Sequence, residues 1–334
     1  MIPIRFAVIG VNHAHIYGQT DCLLRAGAEL AGFHAPEDDL AEAFSERYPQ
    51  APRIAERTRL LEERGISLIV SAGIPCERAP LGIEVMRHGK DYMVDKPGMT
   101  SLEQLAEVRR VQAQTKRIYS VCYSEHFETR STVKAGKLTA AGAIGKVVST
   151  TGLGPHKLKN LPRPDWFYGR EKTGGILTDI ASHQCEQFLF FADALDAEVV
   201  AASVANLANP DRPELQDFGD ILMRAGEVTG YVRVDWMTPD GLPVWGDGRL
   251  IILGTEGYLE LRKYIDIEGR EGRDHLFLVD REGMRRVDCS DVDLPYGGAL
   301  LADIRDRSET AMPQARCFKA MELALTAQAI AERG

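Results

Sequence analysis

Residues 4–15 read IRFAVIGVNHAH. The run 4–9 (IRFAVI) is mostly apolar with β-branched residues and ends at Gly10, and a helix is expected over about 15–26, closed by Gly27. This strand-turn-helix opens a series. Residues 29–33 (ELAGF) read as a second strand, 39–48 as a helix and 68–70 as a buried strand. A helix at 80–88 and strands at 92–94 and 118–122 (IYSVC) follow. Short apolar strands alternating with helices predict a parallel sheet covered on both faces, an α/β arrangement. The texture changes near residue 120. Longer alternating segments lie at 146–151, 198–206, 217–224, 229–236, 249–253, 258–262 and 275–279. Turn signals such as Pro239-Asp240-Gly241 and Gly254-Thr255-Glu256-Gly257 separate them. With helices at about 175–192 and 313–333, they predict an antiparallel meander. The expected organisation is therefore an α/β domain over 1–122 and an α+β domain over 123–334 with a large, mostly antiparallel open sheet. In the strand 230–236, Val232, Val234 and Trp236 should face the core, with Tyr231, Arg233 and Asp235 facing water or another subunit.

The 334 residues are enough for two domains with full cores. Lys plus Arg is 40 against 49 Asp plus Glu, a formal charge of −9. That balance argues against nucleic acid or an anionic membrane as the main partner. The six cysteines, at 22, 76, 122, 185, 289 and 317, form no CxxC pair. A zinc ribbon or thioredoxin-type motif is thus excluded, and the scatter suits reduced thiols in cytoplasm. The apolar start MIPIRFAVIGV is too short for a signal-peptide core, and no apolar run reaches the ~18 residues of a membrane span.

A dinucleotide-binding βαβ unit carries G-x-G-x-x-G at its first turn. Its glycines let the backbone approach a pyrophosphate and its helix N-terminus donates N–H groups. Here Gly10-Val11-Asn12-His13-Ala14-His15 keeps the first glycine alone. Asn12 is a residue type suited to replacing glycine at positive φ, and His15 would loosen helix packing or point into the site. An acid for the adenosine ribose belongs about 20 residues on. The count reaches Ala35, where there is no carboxylate and no Arg or Lys beside it for a 2′-phosphate. Glu37, Asp38 and Asp39 would repel such a phosphate if they faced it. NAD versus NADP stays open, as does a Rossmann-type domain that has lost its nucleotide.

Residues 91–98 read DYMVDKPG. Asp95 and Lys96 fall at the carboxyl end of a parallel strand, the edge where ligands bind in open α/β sheets, and Pro97 fixes the backbone behind them. A partly desolvated lysine there can hold a substrate hydroxyl and favour its ionisation; the plain alternative is a surface lysine. Residues 174–183 read GGILTDIASH. Asp179 and His183, four apart, share one helix face, as a general acid/base and its orienting carboxylate would; the plain alternative is a satisfied core histidine. The segment 154–171 (GPHKLKNLPRPDWFYGRE) offers His156, Lys157, Arg163, Trp166 and Tyr168. Aromatic faces with hydrogen-bonding cations suit a sugar or polyol, including one with a carboxylate, although a packed lid or subunit contact reads equally well. His13 and His15, drawn with Asp179 and His183, also suggest a metal hydrolase, but that fold needs eight βα units.

Several stretches together resemble the Gfo/Idh/MocA oxidoreductases, relatives of glucose-fructose oxidoreductase and inositol dehydrogenase. They are the N-terminal strand and loop, the 69–75 strand and turn, Gly89-Lys90 leading into Asp95-Lys96-Pro97, 142–148 (GAIGKVV), 174–183 and 254–259 (GTEGYL). The family carries E-K-P where this chain has Asp95-Lys96-Pro97. Its G-G-x-x-x-D-x-x-x-H is matched in full by Gly174, Gly175, Asp179 and His183. The resemblance implies NAD or NADP on Gly10, Val11, Asn12, His13, Ala35, Ala72, Gly73, Ile74, Asp95 and Lys96. It implies a catalytic trio of Lys96, Asp179 and His183 and no resident metal. Substrate would meet His126, His156, Arg163 and Trp166 together with Asp179 and His183. The implied reaction is hydride transfer between nicotinamide and a secondary alcohol or ketone of a sugar, polyol or related small molecule. Self-association as a homodimer or tetramer through the second domain's sheet is implied as well. The chain departs from the family at the missing glycines, at Arg78, where a histidine is common, and at Ser124-Glu125-His126-Phe127, which replaces a basic stretch ending in R-F. A non-catalytic nucleotide or sugar sensor on the same fold is the alternative.

Overall fold

The computed structural model describes residues 3–158 and 163–333. The chain divides into two compact units: Met1–Cys122 with Pro295–Phe318, and Tyr123–Leu294 with Lys319–Gly334.

The first unit is built on β1 (Arg5–Ile9), β2 (Glu29–His34), β3 (Leu68–Ser71), β4 (Asp91–Asp95) and β5 (Tyr119–Cys122). They pair in the order β2-β1-β3-β4-β5, all parallel. Every residue of β3, β4 and β5 is buried, as expected of short strands covered on both faces. Between them run α1 (His15–Arg25), α2 (Asp38–Arg47), α3 (Arg57–Glu62), α4 (Pro75–Arg87) and α5 (Leu102–Thr115). Helix α4 starts five residues before the expected 80, with Pro75 in its first turn, where a missing N–H costs nothing. Ser101 caps α5 by accepting from Gln104 N at 3.1 Å. The strand order reverses at β1, so the chain leaves a crevice outside the carboxyl ends of β1 and β3.

The second unit carries an eight-stranded sheet. Its strands are β6 (Val147–Pro155), β7 (Glu198–Ala205), β8 (Phe218–Ala225), β9 (Val228–Asp235), β10 (Arg249–Gly254), β11 (Tyr258–Arg262), β12 (His275–Asp280) and β13 (Gly283–Val287). The order is β13-β12-β11-β10-β6-β9-β8-β7. The expected meander is corrected at its centre, where β6 and β9 are parallel. Helices intervene between β6 and β7, and the chain returns to β6 through β9 rather than through the next strand. Those helices are α8 (Arg170–Thr173), α9 (Ile176–Asp179) and α10 (Ser182–Ala192), after α6 (Ser124–Phe127) and α7 (Arg130–Ala140). Helix α10 packs on β6 and β9, and α7 on β11 and β12. Beneath α7 lies a core of Ile144, Leu250, Ile252, Leu259, Leu261, Leu276 and Leu278. Val232, Val234 and Trp236 are buried, as their alternation predicts, and Tyr231 on the other side is 38% exposed, but Asp235, expected to face outward with it, is buried.

A single cut at residue 122 needs correcting, because residues 295–318 cluster with the first unit. The reason is the edge of β5. An exposed strand edge leaves unpaired amides and carbonyls. Here α11 (Tyr296–Asp306) and the start of α12 (Gln314–Ala331) supply partners. Tyr119 N donates to Gln314 Oε1 at 2.8 Å, Gln314 Nε2 donates back to Tyr119 O at 3.1 Å, and the Ser120 and Tyr296 hydroxyls meet at 2.8 Å. Arg307 grips both oxygens of buried Asp91, at 2.9 and 2.7 Å. None of the six cysteines forms a disulfide among the described residues. No helix among the described residues is long and apolar enough to cross a membrane.

Candidate active site

In the first unit, the turns after β1 and β3 approach closely. Gly10 sits at φ +84°, and a Cβ there would come within 3.0 Å of Gly73 Cα, so only glycine fits. Ala72 N donates to Gly10 O at 3.1 Å, and His13 N to Ala72 O at 2.9 Å. Residues Val11, Ala72, Gly73 and Ile74 therefore border the crevice with Gly10.

Asn12 does not take the positive φ expected of it; among the described residues the non-glycine positions there are Lys116, Asp193, Asp274 and Arg307. Its side chain acts instead, with Nδ2 donating to Glu37 Oε1 at 2.9 Å. The other Glu37 oxygen is buried and has no hydrogen-bond partner among the described residues. The acid sought at Ala35 thus stands two residues later, turned towards the altered glycine loop. The expectation that no cation stands beside Ala35 is also corrected. A bridge between Phe33 and Arg53 brings Arg53 up, and its Nη2 donates to Ala35 O at 2.9 Å while Nη1 pairs with Asp38 at 2.8 Å.

His15 neither loosens α1 nor stands alone. Its Nδ1 lies 2.9 Å from Asp95 Oδ1, and His13 Nδ1 lies 3.4 Å from Asp95 Oδ2. Burial pushes the His13 imidazole well below its ordinary pKa, and neighbouring His15 adds to this. For Asp95 burial opposes ionisation, yet His15 and the Arg78 guanidinium hold its carboxyl well below the usual carboxylate range. Arg78, itself buried, is the centre of the cluster. Nε donates to Gly73 O at 2.8 Å, Nη1 reaches the carbonyls of Asp95, Lys96 and Pro97, and Nη2 lies 3.1 Å from Asp95 Oδ2. The turn that presents Lys96, 5% exposed, is thereby tied to the turn after β3. His13, His15 and Asp95 place three ligand-type atoms within 4.8 Å of one another. Asp95 Oδ1 meets His15, and Oδ2 lies 3.1 Å from the Arg78 guanidinium, whose positive charge opposes a cation at this place. These residues fit a dinucleotide: a glycine turn held against a second turn at the sheet's switch point, and an unsatisfied carboxylate beside it.

In the second unit, Gly174 and Gly175 both have positive φ and lead into α9. The single helix expected over 175–192 is two, with Ile180 and Ala181 in a turn between α9 and α10. His183 N bonds to Ile180 O at 3.2 Å, a tighter turn than an α-helix. Asp179 ends α9 and lines a small cavity with Phe167, Tyr168, Gly175 and Trp236. His183 is buried, its ring 6.3 Å from that of Tyr123. The Arg163 guanidinium lies 4.5 Å from the Phe167 ring centre, 4.8 Å from Trp245 and 5.4 Å from Trp236. His156 packs edge-on against Trp236 and Trp245, and Trp166 against Phe167. Two expected residues point elsewhere: Lys157 Nζ donates to Leu242 O at 2.7 Å, and buried His126 pairs with Glu186 at 2.9 Å against the Phe190 ring. Residues 159–162 of this segment lie outside the described residues. Sequence reasoning missed Trp245, Phe167 and Trp236 as an aromatic box, because they come from three separate segments.

Residues 4–123 match an oxidoreductase family with an NAD-binding Rossmann fold, and residues 132–260 match the GFO/IDH/MocA C-terminal domain. The chain is 44% identical to a presumed oxidoreductase from Erwinia carotovora atroseptica SCRI1043, with TM-score 0.96 over 98% of both chains. KijD10, a 3-ketoreductase from Actinomadura kijaniata in complex with NADP, shares the fold at 17% identity, TM-score 0.76, over 98% of this chain and 97% of its own. A D-xylose dehydrogenase from Paenarthrobacter nicotinovorans is 24% identical over 145 residues, a match spanning 42% of this chain and 37% of that protein. The chain belongs to the Gfo/Idh/MocA family of oxidoreductases, which use NAD or NADP.

Proposed function

We propose that this protein is a dehydrogenase or reductase acting on a secondary alcohol or ketone of a sugar, polyol or related small molecule. The observation that supports this best is the Arg78 clamp, which fixes Lys96 at the carboxyl edge of the sheet, where nucleotide-binding folds do their chemistry. Bound along Gly10, Asn12 and Gly73, a nicotinamide would supply the hydride acceptor or donor. His183 takes the hydroxyl proton on oxidation and returns it on reduction. Lys96 holds the reacting oxygen and stabilises the negative charge that develops on it. Asp179 orients the imidazole or binds a neighbouring hydroxyl. Replacing His183 with Asn should lower kcat by roughly 10²–10⁴-fold and leave NADH binding intact; unchanged turnover refutes the role. Cofactor binding without turnover of any sugar or polyol would instead mark a sensor.

The preference we propose is for NAD. Glu37 offers a carboxylate to ribose hydroxyls and repels a 2′-phosphate, while Arg53 is engaged with Ala35 O and Asp38. Titration should give NADH the tighter Kd by about tenfold or more, some 1.4 kcal/mol. Glu37→Gln should shrink that gap. The reading extends to a cytoplasmic homodimer or tetramer assembled through the open sheet face.

A further inference from the structure

We infer that the substrate carries a carboxylate, received by one edge of the Arg163 guanidinium; this rests on the dehydrogenase reading above and narrows its substrate class. The three rings of Phe167, Trp236 and Trp245 lie within 4.5–5.4 Å of the guanidinium carbon. The rings box the cation, with Trp236 nearly perpendicular to both Phe167 and Trp245, and their carbon faces offer its N–H groups no oxygen or nitrogen acceptor. Its Nε and Nη2 are buried and have no hydrogen-bond partner among the described residues. Those two nitrogens share an edge. Their N–H bonds run parallel at the spacing of the two oxygens of a carboxylate, the fork that gives bidentate pairing. Among the described residues no other arginine leaves both of these atoms buried and unmet. Asp179 acts on Arg163 through its charge, opposing the effect of burial on the guanidinium, but accepts from neither Nε nor Nη2.

The surroundings say which part of a substrate belongs there. Phe167 and Trp236, which flank Arg163, also line a small cavity beside Asp179. A molecule with its carboxylate on Arg163 would lay its apolar C–H faces on these rings and its hydroxyls towards Asp179. A neutral sugar at this edge would leave the two buried donors unmet, which binding penalises. Sugar acids, aldonates or uronates, are the class that satisfies both ends.

The test compares matched sets with NAD: a neutral aldose, its aldonate, its uronate and its 6-phosphate, across several sugar stereochemistries. For one of the acids kcat/KM should exceed that of the neutral parent by about tenfold or more. Arg163→Gln should erase that ratio mainly through KM. Arg163→Lys, which keeps the charge without the fork, should fail to restore it. A neutral sugar turned over as well as its acids, with the ratio unmoved in both variants, overturns the carboxylate and leaves the dehydrogenase standing. A preference for the phosphate over both acids also overturns it. If no compound turns over, calorimetric binding of the acids to the NAD-loaded protein decides. Binding lost in Arg163→Gln supports the inference, and equal or absent binding overturns it, while His183→Asn separately reports on the reaction.

Discussion

At the scale of single residues, Arg78 does the most with the least warning. One buried guanidinium serves the main chain of Gly73, Asp95, Lys96 and Pro97 and the carboxylate of Asp95. Lysine carries one point of charge and no planar fork, so Arg78→Lys cannot rebuild this set. Removing one partner of a buried pair costs about 3–5 kcal/mol, and urea unfolding of Arg78→Ala should show a loss of that order, with Arg78→Lys recovering little. The neighbouring histidine sets an acid limit. The folded state holds His13 neutral well below its ordinary value of 6.5, so the unfolded chain binds more protons below that pH and stability falls as pH falls. Asp95 acts in the same sense lower down: its contribution is present above 3.8 and is lost as pH drops through its depressed folded value. Thermal melts from pH 7 to 5.5 should therefore show a declining Tm, and His13→Asn should remove part of the decline. The sequence exposed Arg78 only as a departure from a family pattern. Its partners are carbonyls from two turns, and no spacing along a chain reports them.

At the scale of elements, the strands of the first unit were legible because each is short, apolar and bounded by turn residues. Helix α5 was not read, although Ser101 and the buried Leu105, Val108 and Val111 mark it. The break between α9 and α10 was invisible, since Asp179 and His183 fit a helical repeat whether or not the helix is continuous. The parallel pairing of β6 with β9 was equally hidden, because local alternation shows which face is buried and not which strand lies alongside. The two glycines before α9 were legible as punctuation, and the structure explains them. Gly175 has φ +83°, and a Cβ there would lie 2.5 Å from the Gln328 carboxamide, whose Oε1 accepts from Leu177 N at 3.1 Å. At φ +83° and ψ 164°, a region essentially reserved for glycine, Gly175→Ala should cost about 1–3 kcal/mol for the backbone alone, read as a lower urea midpoint. Because the strain sits at the entry to α9, kcat should fall more than NADH affinity.

At the scale of the whole molecule, the eight-stranded sheet covers its core on one face and, among the described residues, exposes apolar side chains on the other. Leu222, Tyr231, Leu253 and Tyr258 are 38–46% exposed there. Apolar side chains exposed together on one face support the proposed self-association through it. Light scattering at micromolar concentration should give a dimer or tetramer, and Tyr231→Arg with Leu253→Arg should yield monomer of unchanged far-ultraviolet circular dichroism; a monomeric wild type removes the proposal. The candidate site was legible in part. Lys96, Asp179 and His183 stand in short motifs, whereas Glu37, Arg53 and the aromatic box depend on segments that only folding brings together.

The Gln314 and Arg307 contacts to β5 and β4 bear on how such a protein can be cut and recombined. The nucleotide-binding half is not encoded by one uninterrupted stretch, since its last strand is finished by a piece translated 176–195 residues later. A chimera that swaps residues 1–122 between relatives inherits a raw margin unless 295–318 travels with it. Its first fault should be sticking to its own copies rather than loss of chemistry.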